Sequence, residues 1–310
     1  VIRGIRQSID KIAPTASRVL VNGPSGSGKE LAARCIHNKS KRKDERFVVA
    51  NCARLASQRV DAELFGSESL QNHRRVVGLF EQAHKGTLYF DEICDLPLDT
   101  QGKIVRAVNE QRFRRVGGNT EVLVDVRVIS ASSRDLAAEI KDGALREDLY
   151  YRLGVVPLMM PSLADRRDDI PRLAKYFART VSRRLGVPPI KFSDEVLAAM
   201  QGYEWPGNIR QLVNTVENML IMMPGDDDSP VGLSALPAEI QNISQAGINS
   251  GMEGFWALPL RGAREAFERA YMAAQLKRFG GNVSRMAVFV GMERSALHRK
   301  LKSLGVDDEM

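Results

Sequence analysis

The chain has 310 residues, enough for two domains or three small ones, and its 45 Lys and Arg against 38 Asp and Glu give a net charge of +7. This surplus favours a polyanionic partner such as nucleic acid, and no apolar run approaches the about 18 residues of a membrane span, so no membrane segment is predicted. No secretory leader opens the chain and its three cysteines match no zinc or disulfide spacing, so we expect reduced thiols and a cytoplasmic location.

Strand and helix signals alternate through the first half of the chain. Short β-branched or aromatic runs occur at residues 18–21, 47–50, 87–90 and 124–131, and helical stretches at 30–38 and 100–110. Nearly continuous apolar strands that alternate with helices are typical of a parallel sheet covered on both faces. The sequence therefore predicts an α/β domain over residues 1–160.

Helical signals replace the strands in residues 161–224. Apolar residues at 209, 212, 213, 216 and 220 fall on one face of a helix, and Ser193 is placed to cap another. We predict a small helical domain here. Residues 225–257 then carry five acidic and no basic residues, with three glycines in the second half, which predicts a linker with a short helix after Pro237.

Residues 258–310 form the last predicted unit. A first helix carries an apolar stripe over residues 263–274, Asn282 can cap a second, and Gly291 can provide the turn before a third. The third helix has three residues that we expect to face inward, Leu297, Leu301 and Leu304. Two helices joined by a glycine turn are the outline of an all-α helix-turn-helix domain.

A phosphate-binding loop is predicted where the first strand ends. Residues 23–30 read GPSGSGKE, which is G-x-x-x-x-G-K between a strand and a helix. Glycines let successive backbone N–H groups turn toward phosphate oxygens, the helix N-terminus adds its positive dipole end, and Lys29 can reach the β- and γ-phosphates. The candidate ligands of ATP or ADP are Gly23, Ser25, Gly26, Ser27, Gly28, Lys29 and Glu30; the last stands where the generic motif has a magnesium-binding Ser or Thr.

An apolar strand that ends in two acids completes the predicted site. Residues 87–92 read TLYFDE. Asp91 would hold Mg²⁺, directly or through water, and Glu92 would orient and polarise the water that attacks the γ-phosphate. The residues predict ATP binding and leave open whether ATP is also hydrolysed.

These motifs resemble the AAA+ domain of NtrC-type bacterial enhancer-binding response regulators. The resemblance covers nearly all of residues 1–224 and is carried by GPSGSGKE, FVVANCA, AELFGSE, GLFEQAHKGTLYFDEICDLPLDTQGKIVRAV, RFRRVGG, DVRVISASSRDL, LREDLYYRL, RRDDIPRL and YEWPGNIRQLVNTVEN. It implies an AAA+ fold with a helical lid, ATP or ADP with Mg²⁺, and a homo-oligomeric ring, hexameric in the active state. The family itself has Glu after the lysine of the loop.

The resemblance implies two contacts close to the reacting phosphate. Asn51 matches the asparagine that pairs with the catalytic glutamate and restrains it, which here is Glu92. Ser132 and Ser133 occupy the sensor I position, where the family usually has Thr-Asn, and we expect Ser133 to contact the nucleotide.

It also implies three arginine contacts with nucleotide. Arg146 and Arg152 match arginine fingers that reach the nucleotide of a neighbouring subunit. Arg210, within WPGNIR, matches the sensor II arginine, which contacts nucleotide from the lid. Because an arginine finger acts on the nucleotide of a neighbouring subunit, the roles of Arg146 and Arg152 require several copies of the chain to assemble.

One motif of the family is missing. The family has a Gly-Ala-Phe-Thr-Gly-Ala loop between ELFG and GxFE, which contacts the sigma-54 factor and couples hydrolysis to promoter opening. Here residues 67–77 read SESLQNHRRVV, a shorter segment without an apolar-aromatic tip. We therefore expect a chain that does not remodel sigma-54 directly, and this absence resembles the NtrX branch of the family.

The last helices predict a DNA-binding surface. Residues 281–305 hold five basic residues and one acidic residue, a net charge of +4. Arginine can read guanine edges in the major groove, whereas lysine and serine mostly hold phosphates. The candidate contacts are Arg285, Arg294, Ser295, His298, Arg299 and Lys302. The segment resembles the Fis-type domain of these regulators, which implies double-stranded DNA with palindromic sites and dimerisation through the helix over residues 263–277.

The leading hypothesis is an ATP-binding, sequence-specific transcription regulator of a two-component system, concerned with nitrogen metabolism. In one alternative ATP is only a structural ligand, and in another the chain is an AAA+ machine without a DNA role. The family's N-terminal receiver domain, which a sensor histidine kinase phosphorylates, is absent from these residues. The kinase is therefore expected as a partner only of a longer chain.

Overall fold

The computed structural model describes residues 1–55, 59–69, 74–222, 230–241 and 259–306. It divides into two units, of which the first contains Val1–Arg166 with Pro206–Gln211 and the second contains Arg167–Trp205 with Leu212–Met310. The predicted fold class, a parallel α/β unit with helical segments after it, is confirmed. The domain boundaries given above stay a prediction.

A five-stranded parallel sheet lies at the centre of the first unit. The strands in chain order are β1 Val19–Asn22, β2 Phe47–Asn51, β3 Ser67–Ser69, β4 Arg74–Val76, β5 Thr87–Asp91, β6 Arg112–Arg114, β7 Glu121–Leu123, β8 Arg127–Ser132 and β9 Val156–Met159. The large sheet has the order β2-β5-β8-β1-β9, and β3-β4 and β6-β7 form two small antiparallel sheets. All four ladders of the large sheet are parallel, so the strands end at one common edge.

Both faces of the large sheet are buried. Successive side chains of a strand point to opposite faces, and each face packs against its own hydrophobic cluster. In β5, Leu88 and Phe90 belong to one hydrophobic cluster, and Tyr89 between them belongs to the other. The cysteines are free thiols, and burial raises the pKa of both Cys52 and Cys94. The strands are therefore almost continuously apolar because both of their faces are buried, as the sequence indicated.

The edge strand β9 is not predicted by the sequence signals. It contains Pro157, which has no backbone N–H to donate to a ladder and is tolerated in a sheet only at an edge or a bulge. In the structure β9 pairs with β1 alone, with Pro157 opposite Leu20. A proline in a four-residue run hides the strand from pattern analysis and also fixes its place at the edge.

Seven helices are described in the first unit and cover the sheet. They are α1 Ile2–Ile12, α2 Lys29–Asn38, α3 Val60–Phe65, α4 Leu79–Gln82, α5 Leu98–Glu110, α6 Leu136–Lys141 and α7 Glu147–Leu153. The helices predicted at 30–38 and 100–110 are confirmed as α2 and α5, each of which begins one or two residues earlier.

The second unit is helical where the structure describes it. Its helices are α8 Ile170–Leu185, α9 Asp194–Gly202, α10 Asn208–Met222, whose first residues belong to the first unit, α11 Leu260–Arg278, α12 Val283–Val290 and α13 Arg294–Ser303. The predicted cap of α9 is confirmed, since Ser193 Oγ accepts a hydrogen bond from the Val196 N–H. On α10, Leu212, Val216 and Leu220 are buried as expected.

The three last helices have a core of their own. The three predicted inward residues are buried, with Leu297 and Leu301 on α13 and Leu304 directly after it. Asn282 Oδ1 accepts a hydrogen bond from the Arg285 N–H and caps α12, which ends at Gly291 with φ 71°. The helix-turn-helix is therefore confirmed in its caps, its turn and its buried face.

The predicted linker lies largely outside the described residues, and the shortened insertion lies partly outside them. Of residues 225–257, the structure describes 230–241, where Val231 bridges Phe192 and residues 238–241 are helical, directly after Pro237. Of the insertion at 67–77, residues 70–73 are not described. No helix in the described ranges is long and apolar enough to cross a membrane.

Candidate nucleotide site and DNA-binding surface

The predicted phosphate-binding loop joins β1 to the first turn of α2. Gly26 has φ +73° and Gly28 has φ +100°, a left-handed conformation that glycine adopts without a steric cost. A Cβ on Gly26 would lie 2.3 Å from the Gly207 carbonyl oxygen, so any side chain at this position would clash with that oxygen. Ser27 Oγ is buried without a hydrogen-bond partner among the described residues. The loop has the shape and the donors that a chain of phosphates needs.

The close approach at Gly26 makes a matched prediction. We expect Gly26→Ala to lower nucleotide affinity at least about tenfold, because the loop must change shape to relieve the clash with the Gly207 carbonyl. Gly143→Ala is the control, since Gly143 has φ +72° but a Cβ placed there would meet no atom within 4 Å. Titration of each variant with a fluorescent ATP analogue measures the difference. Equal nucleotide affinities of the two variants would contradict the predicted effect of the close approach at Gly26.

Lys29 points into the loop and Glu30 points away from it. Lys29 is 6% exposed, and its Nζ donates to the Gly23 carbonyl at 3.0 Å and lies 3.1 Å from Glu92 Oε1. The carboxylate of Glu30 pairs with Arg34, one turn further along α2, at 2.8 Å. The structure thus brings Lys29 together with the predicted catalytic acid, whereas the side chain of Glu30 faces solvent.

The two predicted acids lie where β5 ends. Asp91 is opposite Asn51 in the ladder between β5 and β2, and its Oδ1 accepts a hydrogen bond from the Tyr89 hydroxyl at 3.0 Å. Burial, followed by the charge of Asp91, raises the pKa of Tyr89 above its usual value, so the phenol stays a donor. Glu92 follows with φ 56°. A left-handed conformation at a non-glycine residue is strained and is common at functional sites.

The two serines of the sensor I position point in different directions. Ser133 donates both its N–H and its hydroxyl to Glu92 Oε2, at 2.7 and 2.9 Å. Ser132 is fully buried, and its Oγ accepts from the Arg134 N–H at 3.1 Å and lies 3.5 Å from Cys94 Sγ. Among the described residues, Asn51 makes no side-chain hydrogen bond to Glu92. Glu92 is held by Lys29 and Ser133 in this structure.

The segment Pro206–Gln211 belongs to the first unit and lies against the phosphate-binding loop. Arg210 Nη1 donates to Ser25 Oγ at 3.2 Å, which brings together two residues that the sequence predicted as nucleotide contacts. Asn208, buried and with φ 51°, donates from Nδ2 to the Ser25 carbonyl at 2.9 Å. The Ile209 N–H donates to the Gly26 carbonyl at 3.0 Å.

Asn208 and Arg166 are loop contacts that the sequence analysis missed. Arg166 Nη2 donates to the Ser27 carbonyl at 2.8 Å, so this loop is held by side chains far along the chain. A signal existed for Asn208, which lies between the glycine and the arginine of WPGNIR. Arg166 is one of a run of charged residues, and nothing in the local pattern distinguishes it from a solvated one.

The two predicted arginine fingers lie on α7 or at its start. Arg146 occupies the N-cap position of α7 and forms a bidentate pair with Asp148, at 3.0 and 2.9 Å, which lowers the pKa of that carboxyl. Arg152 is exposed in the last turn. Among the described residues, no hydrogen bond or ion pair joins either side chain to the phosphate-binding loop.

The predicted DNA contacts lie on the exposed sides of α12 and α13. On α13, Arg294, Ser295, His298, Arg299 and Lys302 are all exposed, whereas Leu297 and Leu301 between them are buried. On α12, Arg285 Nη1 pairs with Asp168 at 2.6 Å, and both side chains are 65% exposed. Such an exposed ion pair contributes little to stability, so a phosphate can replace the carboxylate.

A metal site is not assembled by the protein alone in the described ranges, where no group of three or more His, Cys, Asp and Glu is arranged around a common point. Magnesium usually binds one or two carboxylates together with substrate phosphates and waters. Asp91, half-buried at the end of β5 and next to Glu92, has the donor type that this mode of binding requires.

Three family models match consecutive parts of the chain. Residues 1–159 match the sigma-54 interaction domain, residues 164–251 the AAA+ ATPase lid domain, and residues 263–304 the Fis family of bacterial regulatory proteins. The nitrogen assimilation regulatory protein NtrX of Azorhizobium caulinodans is 50% identical over 307 residues, which cover 99% of this chain and 68% of that protein.

The chain belongs to the NtrX branch of the NtrC-type response regulators.

Solved structures agree with this family assignment. The crystal structure of NtrX from Brucella abortus in complex with ATP has a TM-score of 0.83 and 49% identity, and covers 98% of this chain and 68% of that one. The complex with ADP has a TM-score of 0.81 and 47% identity, with the same coverage. The transcriptional regulator NtrC of Escherichia coli is 37% identical over 320 residues, which cover 96% of this chain and 67% of that protein. The chain thus spans about two thirds of the length of these relatives and has an AAA+ domain, a helical lid and a Fis-type DNA-binding domain.

Proposed function

We propose that the chain is an ATP-binding, sequence-specific DNA-binding transcription regulator of the NtrX type, which acts in a two-component system. The ATP-binding part of the proposal rests on the convergence of Lys29, Glu92 and Ser133 beside the phosphate-binding loop, and the DNA-binding part rests on the exposed cations of α13. Nitrogen metabolism is the process we assign to it, because its Azorhizobium relative is a nitrogen assimilation regulator. A sensor histidine kinase would be a partner through a receiver domain of a longer chain.

ATP or ADP binds at the loop that joins β1 to α2. The backbone N–H groups of residues 26–29 and the start of α2 face the phosphates, and Lys29 neutralises their charge. Arg210, which already contacts Ser25, is placed to reach the same nucleotide. The Brucella structures with ATP and with ADP, at 49% and 47% identity, support this assignment.

ATP hydrolysis is the reaction that the acids at the end of β5 would perform. Asp91 would hold Mg²⁺, directly or through water, and the metal would neutralise charge that develops on the phosphates. Glu92 would orient the attacking water and accept its proton. Asn51, opposite Asp91 in the ladder, would restrain Glu92 in another state of the cycle.

A ring of subunits would complete the site. Arg146 and Arg152 are exposed at the two ends of α7, and we propose that they reach a neighbour's nucleotide in a hexamer formed with ATP. Arginine stabilises charge on transferring phosphoryl groups because its guanidinium is always protonated and planar.

DNA binding is assigned to α13 as the recognition helix. Arg294 and Arg299 would read guanine edges, while Ser295, His298 and Lys302 would hold phosphates and neighbouring bases, with Arg285 on the flanking backbone. A dimer would form through α11, where Phe267 is 54% and Tyr271 36% exposed and the two rings stack 6.2 Å apart. Two copies related by a two-fold axis fit a palindromic site.

Direct remodelling of sigma-54 is not part of the proposal. β3 pairs with β4 so that Ser67 is opposite Val76, and the Glu68 N–H donates to the Val116 carbonyl at 2.9 Å. The described part of the insertion is therefore paired at its base. Residues 67–77 read SESLQNHRRVV, without the family's Gly-Ala-Phe-Thr-Gly-Ala motif, so hydrolysis would drive or gate assembly instead.

A second candidate function is a regulator that binds ATP as a structural ligand without turnover. The observation that favours it is that both oxygens of Glu92 are engaged, one by Lys29 and the other by Ser133. Sedimentation velocity of the chain with ATP, with ADP and with neither, each with and without duplex DNA, separates the readings. We expect ATP to raise the sedimentation coefficient above that of a dimer; binding of ATP without assembly or turnover would favour the second candidate.

The remaining alternative is an AAA+ machine without a DNA role. It predicts that duplex DNA leaves the sedimentation boundary of the chain unchanged at low salt. The proposal predicts co-sedimentation that weakens as salt rises, because phosphate contacts release condensed counterions.

A further inference from the structure

Helix α8 has a buried side and a strongly basic side. Its 16 residues include five basic residues and no acidic residue. The buried side is formed by Ile170, Ala174, Ala178 and Val181. Four exposed cations, which we call the α8 basic face, are Arg172, Lys175, Arg179 and Arg183. At about 100° per residue these four fall within an arc of about 80° on the opposite side of the helix.

The charge of the α8 basic face is not compensated. Exposed basic residues of other helices have an acid one turn away, as Arg34 has Glu30 on α2. α8 contains no such acid, and its fifth basic residue, Arg184, pairs with Glu217 on α10 at 2.7 Å. Within the described ranges, no side chain of the α8 basic face forms a hydrogen bond or an ion pair. Like charges one turn apart repel each other, and an anion would relieve this repulsion.

The spacing of these cations fits an extended anion. From Arg172 to Arg183 the α8 basic face is about 16 Å long, more than a single phosphate can span. A protein partner usually requires an apolar interface core. The largest exposed apolar side chain of α8 is Tyr176, which is 60% exposed at the edge of the face. Its hydroxyl can also donate to phosphate, so a row of phosphates fits this surface better than a protein does.

The start of α8 lies beside a residue that we assign to DNA. Asp168, two residues before the helix, pairs with Arg285 of α12 at 2.6 Å. Near the end of α11, Arg278 Nη2 donates to Gln201 Oε1 on α9 at 3.2 Å. Both contacts join helices of the second unit. A duplex whose backbone is held by Arg285 therefore passes close to the start of α8.

We propose that the α8 basic face is a second DNA-binding surface, which holds the phosphate backbone next to the site read by α13. This inference rests on the proposed DNA binding by α13. Contacts with phosphates carry no direct information on base sequence. The α8 basic face therefore adds affinity and salt dependence and leaves sequence preference to α13.

Removing three charges from the α8 basic face tests the proposal. The variant carries Lys175→Gln, Arg179→Gln and Arg183→Gln. Its matched control removes one lysine and two arginines from exposed positions of α1, by Arg3→Gln, Arg6→Gln and Lys11→Gln. Anisotropy of a labelled duplex of about 30 base pairs, at several salt concentrations, measures the affinity and its salt dependence.

We expect the α8 variant to bind this duplex at least about tenfold more weakly at about 100 mM salt. The slope of log affinity against log salt is expected to fall by at least about 2, because each lost phosphate contact lowers it by about 0.9. The ratio of affinities for two duplexes of different sequence is expected to stay unchanged. The control is expected to remain within about threefold of the parent chain. Arg179→Gln alone changes one exposed side chain and is expected to lower the slope by about 0.9.

Three outcomes would overturn the inference. If the parent chain binds the duplex and the α8 variant keeps its affinity and slope, α8 does not contact DNA, and the DNA-binding function of α13 still stands. An equal loss in the control would mean that total charge determines the effect. If the α8 variant loses ATP-dependent assembly in sedimentation velocity but binds DNA as before, the face is an interface between copies of the chain. A parent chain that binds no duplex would sink the proposed DNA-binding function itself, and this inference with it.

Discussion

Glu92→Gln is expected to lower ATP turnover by about 10²- to 10⁴-fold, the usual contribution of a positioned general base. Glutamine has the same shape as glutamate and its carbonyl oxygen can still accept from Ser133, but it cannot take the proton of the attacking water. ATP affinity is expected to be retained or to rise, because the substitution removes the carboxylate that pairs with Lys29 at 3.1 Å. Single-turnover hydrolysis together with nucleotide titration measures the two effects separately.

The control for this variant is Glu45→Gln, which makes the same chemical change at an exposed residue that precedes β2. We expect it to leave turnover and affinity unchanged. Turnover by Glu92→Gln at the rate of the control would exclude Glu92 as the base. A loss of ATP binding with the loss of turnover would mean that the acid holds the loop together, which is a structural role.

Replacing Arg294, Arg299 and Lys302 by alanine is expected to abolish tight DNA binding. These exposed cations lie on the surface of α13 that faces away from Leu297 and Leu301. Each contact with phosphate contributes about 0.9 to the slope of log affinity against log salt, and each bidentate contact with guanine contributes about 1–3 kcal/mol of discrimination. Single variants should therefore separate residues that lower the slope from residues that lower sequence preference.

Fluorescence anisotropy with a labelled duplex of about 30 base pairs, at several salt concentrations, measures both quantities. Lys141→Ala is the matched control for each single variant, since it also removes one positive charge, from an exposed site at the end of α6. An unchanged slope in the triple variant would contradict the assignment of α13 to DNA. An equal loss in the control would mean that total charge, and not the surface of α13, determines binding.

The sequence predicted those features of this protein that are determined by a few residues close together in the chain. The glycines and the lysine of residues 23–29 follow a strand and open a helix, so the loop could be located from seven letters. The acids at the end of β5, the cap at Ser193 and the buried leucines of α13 follow the same logic, because periodicity and capping act over a few residues.

The sequence did not predict which side chains would meet across the fold. β9 was hidden by Pro157, which ends a strand pattern and yet is tolerated at the edge of the sheet. Asn208 reaches Ser25 and Arg166 reaches Ser27 from far along the chain, and such contacts depend on how helices and strands are arranged in space. The pairing of Arg285 with Asp168 is likewise outside any local pattern.

The feature with the greatest consequence for function was decided by tertiary structure alone. The sequence predicts, through its resemblance to the family, that Asn51 restrains Glu92 and that Ser133 contacts nucleotide. Both roles stay predictions. The structure adds a direct hydrogen bond from Ser133 to Glu92. The sequence determined which residues stand at the ends of β2, β5 and β8, because each apolar run ends in polar residues. Which of those residues touch was decided by the parallel order β2-β5-β8, which places three strand ends at one edge of the sheet.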